Sequence, residues 1–188
     1  MLLTVFKTQE SRKLPLNYVN AQRINDNNYF IKFESDLSSE DIEGIILQKS
    51  NHTLLVWKTY DAELATKMTS KLRERLQSPL VFEPYIFPHE LFLSWLNISS
   101  QFIECGFESD ILGEKRIAGF DLKKSEKFKD LINKIKIKMA VFTLEGQNVL
   151  ITARREGKIS ITPDVTTEKL ISILDVLLTN GITMVANG

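Results

Sequence analysis

Residues 137–162 have the sequence IKMAVFTLEGQNVLITARREGKISIT. Strand-forming residues dominate three short segments, Ile137–Leu144, Val149–Arg154 and Lys158–Thr162. Turn-forming residues separate the segments at Glu145–Asn148 and at Glu156-Gly157. This spacing predicts a three-stranded antiparallel meander.

A helix is predicted directly after the meander. Pro163 ends the last strand, and Thr166 or Thr167 is suited to begin a helix. The helix carries one apolar stripe, formed by Leu170, Ile173, Leu174 and Leu177, and Asn180-Gly181 is the predicted C-cap. Because a single stripe must be covered, we expect the meander and this helix to share a core.

The rest of the second half predicts further mixed elements. Helical periodicity extends over His89–Phe102, and strands are predicted at Phe107–Leu112 and Arg116–Leu122. Ser125 then caps a helix that continues to about Lys134. The order of elements favours an α+β fold with a mixed or largely antiparallel sheet and helices packed on one face.

The first half predicts the order β–β–α–β–α. Strands are expected at Leu2–Lys7, Tyr29–Phe33 and Leu54–Trp57. Two helices are expected, one capped by Ser38 and one capped by Asp61. The apolar stripe of the first helix is Ile42, Ile45 and Ile46, and that of the second is Leu64, Met68, Leu72 and Leu76.

Proline spacing suggests how the chain is divided. Pro79, Pro84 and Pro88 fall in one apolar stretch, which predicts a packed connector. We therefore expect an N-terminal subdomain at 1–78, a connector at 79–88 and a C-terminal α+β subdomain at 89–188.

Composition disfavours several classes of protein. The chain has 188 residues, 43% of them hydrophobic, and a net charge of zero, which is typical of one globular domain or two small ones. A single cysteine, Cys105, excludes a disulfide within the chain. No glycine pattern matches a phosphate-binding loop, and no apolar run is long enough for a membrane span. We expect a cytoplasmic protein with no membrane partner.

One segment combines acids and a lysine in a pattern that is typical of a metal site. Asp110 precedes a turn, and Asp121-Leu122-Lys123 closes the next predicted strand. In outline the segment resembles the core of PD-(D/E)xK nucleases, although Ser109 replaces the proline and Asp121 the commoner glutamate. The resemblance implies that Asp110 and Asp121 hold Mg²⁺ and that Lys123 positions water or stabilises charge. Glu104 or Glu108 would complete the set.

The same residues have a simpler interpretation. A second acid-x-lysine triplet, Glu156-Gly157-Lys158, lies in a predicted hairpin turn, so such triplets also occur without a site. Asp121 and Lys123 are then solvated charges at a strand end. Both interpretations stay open at this point.

Local charge supplies the leading functional hypothesis. Residues 115–138 contain nine Lys or Arg and three acids, a net charge of +6. If these residues cluster on one face, they form a phosphate-binding surface, to which Arg154, Arg155 and Lys158 of the meander would add. The alternative is a helix whose lysines are simply solvated. From the first interpretation we predict a non-catalytic binding or assembly protein, without a cofactor, that holds nucleic acid or an acidic protein partner. The predicted contact residues are Lys123, Lys124, Lys127, Lys134, Lys136, Lys138, Arg154, Arg155 and Lys158.

A third hypothesis is a structural oligomerisation module. Five aromatic residues follow one another in the connector and the next helix: Tyr85, Phe87, Phe92, Trp95 and Phe102. Exposed, they would form a homodimer or protein interface. Buried, they would be ordinary core, which is the interpretation we favour.

Overall fold

The computed structural model describes residues 1–8, 14, 16, 19–33, 41–49, 51–76, 81–109 and 113–179. These residues form eleven strands and four α-helices, which confirms a mixed α+β fold. The chain divides into two compact units, Leu2–Tyr85 and Ile86–Gly188, the second including Met1. Strand pairs within each unit are antiparallel. In the described part of the chain, no helix has the length and apolar character needed to cross a bilayer.

The first unit is a five-stranded sheet with one helix and a short sixth strand. Its elements are β1 (Leu2–Thr8), β2 (Ala21–Asn25), β3 (Asn28–Phe33), β4 (Ile42–Gln48), β5 (Thr53–Trp57), α1 (Ala62–Leu76) and β6 (Phe82–Pro84). The strand order is β2-β3-β4-β5-β1, and β6 also pairs with β1. Asp61 caps α1 as predicted, because its carboxylate accepts hydrogen bonds from the backbone of Glu63 and Leu64 at 2.9 and 3.0 Å.

The predicted helix with the stripe Ile42, Ile45 and Ile46 is wrong, because this segment is strand β4. Its predicted cap, Ser38, lies outside the described residues. The strand pairs with β3 on one side and β5 on the other, and Gly44 lies opposite Trp57. A Cβ atom at Gly44 would come within 2.8 Å of the Trp57 ring, so a glycine is needed where this ring crosses the strand.

The described part of the second unit contains five strands, three α-helices and a 3-10 helix. Its elements are α2 (His89–Ile98), β7 (Ser99–Ser109), β8 (Gly113–Ala118), a 3-10 helix (Leu122–Lys124), α3 (Glu126–Ile132), β9 (Lys136–Leu144), β10 (Leu150–Arg154), β11 (Lys158–Thr162) and α4 (Thr167–Thr179). The strand order is β11-β10-β9-β7-β8. Consecutive strands β9, β10 and β11 pair with one another, as the opening stretch of sequence predicts.

Two sequence predictions in this unit require correction. The helix predicted to reach Phe102 ends at Ile98, and β7 begins at the next residue, because Ser99–Ser109 pairs along its length with β9. The strand predicted at Arg116–Leu122 ends at Ala118, and Leu122–Lys124 forms a 3-10 helix instead. Asp121 and Lys123 therefore do not share a strand. The predicted C-cap, Asn180-Gly181, lies outside the described residues.

One face of the second sheet is packed against helices. Trp95 of α2 stacks on Phe142 of β9 with ring centroids 5.7 Å apart. The Trp95 indole N–H also donates a hydrogen bond to the carbonyl of Leu177 in α4 at 2.8 Å. The rings of Phe128 in α3 and Phe102 in β7 pack together with their centroids 5.9 Å apart. The five aromatic residues considered as an oligomerisation surface are all buried, so they are core and not an exposed interface: Tyr85, Phe87, Phe92, Trp95 and Phe102.

The other face of this sheet carries polar and half-exposed side chains. Strand residues alternate between the two faces, so the neighbours of buried Ala140, Phe142, Ala153 and Ile159 point away from the helices. We call this side the outer face; its residues include Glu104, Gly106, Arg116, Met139, Val141, Thr143, Thr152, Arg154, Lys158 and Ser160.

Candidate anion-binding site

The strand register aligns three basic residues in one row across the outer face. Arg116 lies opposite Gly106, Gly106 opposite Met139, Met139 opposite Arg154, and Arg154 opposite Lys158. Directly opposed residues of paired strands share a face. Since neighbouring strands are about 4.8 Å apart, the row extends over about 19 Å from Arg116 to Lys158.

A cavity of about 660 Å³ opens beside this row. Its volume lies within the range of small-ligand sites. The basic side chains that line it are Lys115, Arg116, Lys138 and Arg154. Glu114 and Glu156 are its acidic residues, so basic groups outnumber acidic ones, and Gly106, Phe107 and Met139 complete the lining. We call it the Arg154 cavity.

Arg154 is the least compensated charge in the Arg154 cavity. Its Nε atom is buried and has no hydrogen-bond partner. Arg154 also has no ion-pair partner among the described residues. A buried guanidinium N–H without an acceptor is costly, because the group has lost water and gained nothing in return. Arg154 is therefore the residue of the cavity at which an anion would find an unpaired donor.

Two other basic residues of the cavity already contact acids of the sheet. The ammonium of Lys138 lies 2.7 Å from a carboxylate oxygen of Glu108. This hydrogen bond lowers the pKa of the Glu108 carboxyl, and the nearby charges of Lys136 and Arg155 act in the same direction. Arg116 lies 3.6 Å from Glu104 in a looser ion pair. Glu104 and Glu108, the acids suggested to complete a metal site, thus face basic side chains.

The structure separates the lysines of the +6 segment. Lys136 and Lys138 begin β9 near the Arg154 cavity, whereas Lys123 and Lys124 lie on the 3-10 helix. Lys127 is an exposed residue of α3, and Lys134 is exposed just after this helix. Since α3 packs through Phe128 against the helix-covered face, these residues do not join the outer-face row. Of the predicted contact residues, the structure brings together Lys136, Lys138, Arg154, Arg155 and Lys158.

Asp121 and Lys123 continue the edge of β7 where β8 ends. The backbone N–H of Phe102 donates to the Asp121 carboxylate at 3.2 Å, and the Lys123 ammonium donates to the carbonyl of Ser99. Asp121 also accepts from the backbone N–H of Lys123, as the N-cap of the 3-10 helix, and lies 3.8 Å from the Lys124 ammonium. Only 5% of its side chain is exposed. Both groups thus contact backbone atoms that β8 leaves unpaired.

The metal hypothesis stays a prediction. Asp110 lies outside the described residues, so the pair Asp110–Asp121 has no described geometry. Within the described ranges, no three His, Cys, Asp or Glu side chains are grouped closely enough to hold a metal ion. The Mg²⁺ assignment therefore depends on activity measurements.

Sequence reasoning missed Arg116 and Lys115 as site residues, and it did not identify Gly106. Arg116 was counted in the basic segment, but only the register across β7 and β9 brings it toward Arg154. Gly106 lies between the predicted helix His89–Phe102 and the predicted strand Phe107–Leu112, and a glycine there carries no local sign of this role. The chain matches no protein-family model and no curated protein sequence.

Proposed function

We propose that this protein binds the phosphate backbone of a nucleic acid through the outer face of its second unit. The observation that carries the proposal is the row of Arg116, Arg154 and Lys158 on one side of the sheet. Phosphate contacts of arginine and lysine supply most of the sequence-independent affinity for nucleic acids.

The other side chains of the outer face favour backbone contacts. Thr143, Thr152 and Ser160 are half-exposed hydroxyl residues beside the basic row. Serine and threonine are frequent partners of phosphate and sugar oxygens. None of the strand residues that we assign to this face is aromatic. We therefore expect weak sequence preference.

The same composition favours nucleic acid over an acidic protein. Protein interfaces usually have an apolar centre enriched in aromatic residues. The outer face offers only isolated aliphatic residues such as Val141, between polar neighbours. An acidic protein partner is accordingly an outcome of the test and not the proposal.

Fluorescence anisotropy with labelled DNA and RNA tests the proposal. Three phosphate contacts predict a slope of about −2 to −3 in a plot of log affinity against log salt. Affinity should then fall about 20- to 40-fold between about 50 and 200 mM salt. Absence of binding at the lower concentration, or equal competition by polyglutamate, would overturn the proposal.

Charge variants locate the contact surface. Arg116→Gln and Lys158→Gln should each weaken binding and reduce the salt slope by about 1. Lys127→Gln is the matched control, because Lys127 is an exposed lysine of α3 outside the row. An equal effect of all three variants would mean that the row is not the contact surface.

A further inference from the structure

We infer that the Arg154 cavity binds one phosphate group as a defined subsite, with Arg154 as its principal contact. The inference rests on the proposed function, because it assigns one contact of nucleic-acid binding to a particular pocket. It adds that phosphate recognition here is specific in geometry and does not follow from net charge alone.

The hydrogen-bond donors of Arg154 point to a phosphate ligand. Its Nε–H is buried without an acceptor, and no described carboxylate pairs with the guanidinium. A guanidinium offers several N–H donors in a planar fork that matches two oxygens of a phosphate. A phosphate in the cavity would meet this fork, and a shift of the Arg154 side chain would give Nε the acceptor that it lacks.

Other basic residues lie beside Arg154 in the cavity. Lys115, Arg116 and Lys138 line the same cavity as Arg154. Glu108 holds Lys138 at 2.7 Å, so its ammonium is positioned beside the cavity in advance, whereas Arg116 forms only the looser pair with Glu104. Pre-organised cations bind an anion with a smaller entropic cost.

A glycine lies in the basic row between Arg116 and Arg154. Gly106 separates Arg116 from Met139 in the basic row. A Cβ atom there would lie 3.3 Å from the Cβ atom of Met139, so even alanine crowds this side of the cavity. The missing side chain opens the row beside Arg116, whereas Met139 lies between Gly106 and Arg154.

The cavity also offers acceptors to the rest of the ligand. The carboxylates of Glu114 and Glu156 line it and can accept hydrogen bonds from sugar hydroxyl groups. A phosphate attached to a sugar fits this combination. It is either a terminal monoester or an internal diester of the nucleic acid.

Titration with inorganic phosphate, followed by the backbone amide resonances of cavity residues such as Gly106 in NMR spectra, tests the subsite. We expect saturable binding that Arg154→Gln weakens about tenfold or more, since a hydrogen bond between charged groups is lost. Arg154→Lys should restore little of the loss, because lysine lacks the planar fork. Lys127→Gln is the control, because Lys127 is an exposed residue of α3 that does not line the cavity.

Gly106→Ala provides a test that leaves charge unchanged. It should weaken phosphate binding while thermal unfolding shows a folded protein. Oligonucleotides with a 5′-phosphate or a 5′-hydroxyl group distinguish the two sources: a terminal-phosphate site prefers the first, and an internal-phosphate site binds both equally.

The outcomes separate the subsite from the proposed function. Salt-dependent oligonucleotide binding that is unchanged in Arg154→Gln would overturn the subsite and leave the proposed function standing. Saturable phosphate binding that depends on Arg154, without oligonucleotide binding, would support the subsite and overturn the proposed function. Phosphate binding that is equal in Arg154→Gln and Lys127→Gln would overturn the subsite.

Discussion

The carboxylate of Asp121 accepts a hydrogen bond from the backbone N–H of Phe102 at 3.2 Å, at the edge of β7 that β8 no longer covers. Asp121 therefore completes the sheet in the place of a strand. We predict that Asp121→Ala lowers the free energy of unfolding by about 1–3 kcal/mol, because it leaves a backbone donor unsatisfied. Urea denaturation measures the change.

Asp130→Ala is the control for this prediction, since Asp130 is an exposed residue of α3. The same variants decide the nuclease hypothesis when wild-type protein is incubated with nucleic acid and Mg²⁺. Cleavage that disappears in a fully stable Asp121→Ala protein would contradict the structural role and support a metal site. No cleavage by the wild type would remove the hypothesis.

Gly44 and Trp57 give a second stability prediction. A Cβ atom at Gly44 would lie 2.8 Å from the Trp57 ring, and Trp57 is fixed because its indole N–H donates to Thr69 at 2.9 Å. Gly44→Ala should therefore cost about 1–3 kcal/mol through overpacking. Gly146→Asn is the comparison, because Gly146 has a positive φ of 71° that asparagine tolerates and nothing lies near its Cβ position. Equal stability of the two variants would contradict the close contact.

Cys105 should be chemically inert in the folded protein. Its side chain is fully buried, and burial, assisted by the charge of Glu104, raises the pKa of its thiol to about 12. Since only the thiolate is nucleophilic, iodoacetamide should modify Cys105 at a rate limited by unfolding at neutral pH. Mass spectrometry with and without urea measures the difference. Rapid labelling without urea would show that this part of β7 opens to solvent.

Local patterns predicted the elements whose partners are close in sequence. The strands β9, β10 and β11 follow one another across short turns, so turn residues and alternation suffice to locate them. Turn residues and alternation do not locate β4, because Ile42, Ile45 and Ile46 fit the apolar stripe of a helix as well as a buried strand. Pairing with β3 and β5 decides the matter, and the residue that permits it, Gly44, acts through Trp57 from another strand.

The candidate site shows the same division. Composition predicted a basic surface in the second half, and Lys138, Arg154 and Lys158 lie on or beside it. The lysines of α3 are not part of this surface, because α3 packs against the other face of the sheet. Counting charges along the sequence does not predict this packing. Arg116 joins Arg154 only through the register of β7 and β9, a relationship between distant residues.

His52 predicts a specific loss of stability in acid. Its side chain is almost completely buried, and this burial, together with the charges of Lys7 and Lys49, lowers the pKa of the imidazole from 6.5 to about 4. Between these two values the unfolded chain binds a proton that the folded protein does not. The contribution of His52 is therefore complete above about pH 6.5 and is lost as the pH falls toward 4, by up to about 3 kcal/mol.

Urea denaturation of the wild type and of His52→Leu at several pH values isolates this contribution from that of the carboxyl groups. Leucine has a similar volume and does not titrate, so the stability of the variant should decline less than that of the wild type between about pH 6.5 and 4. Parallel curves for the two proteins would mean that the folded protein accepts the proton on His52. In that case the buried Nε2 atom, which has no hydrogen-bond partner in the described structure, would have to gain an acceptor on protonation.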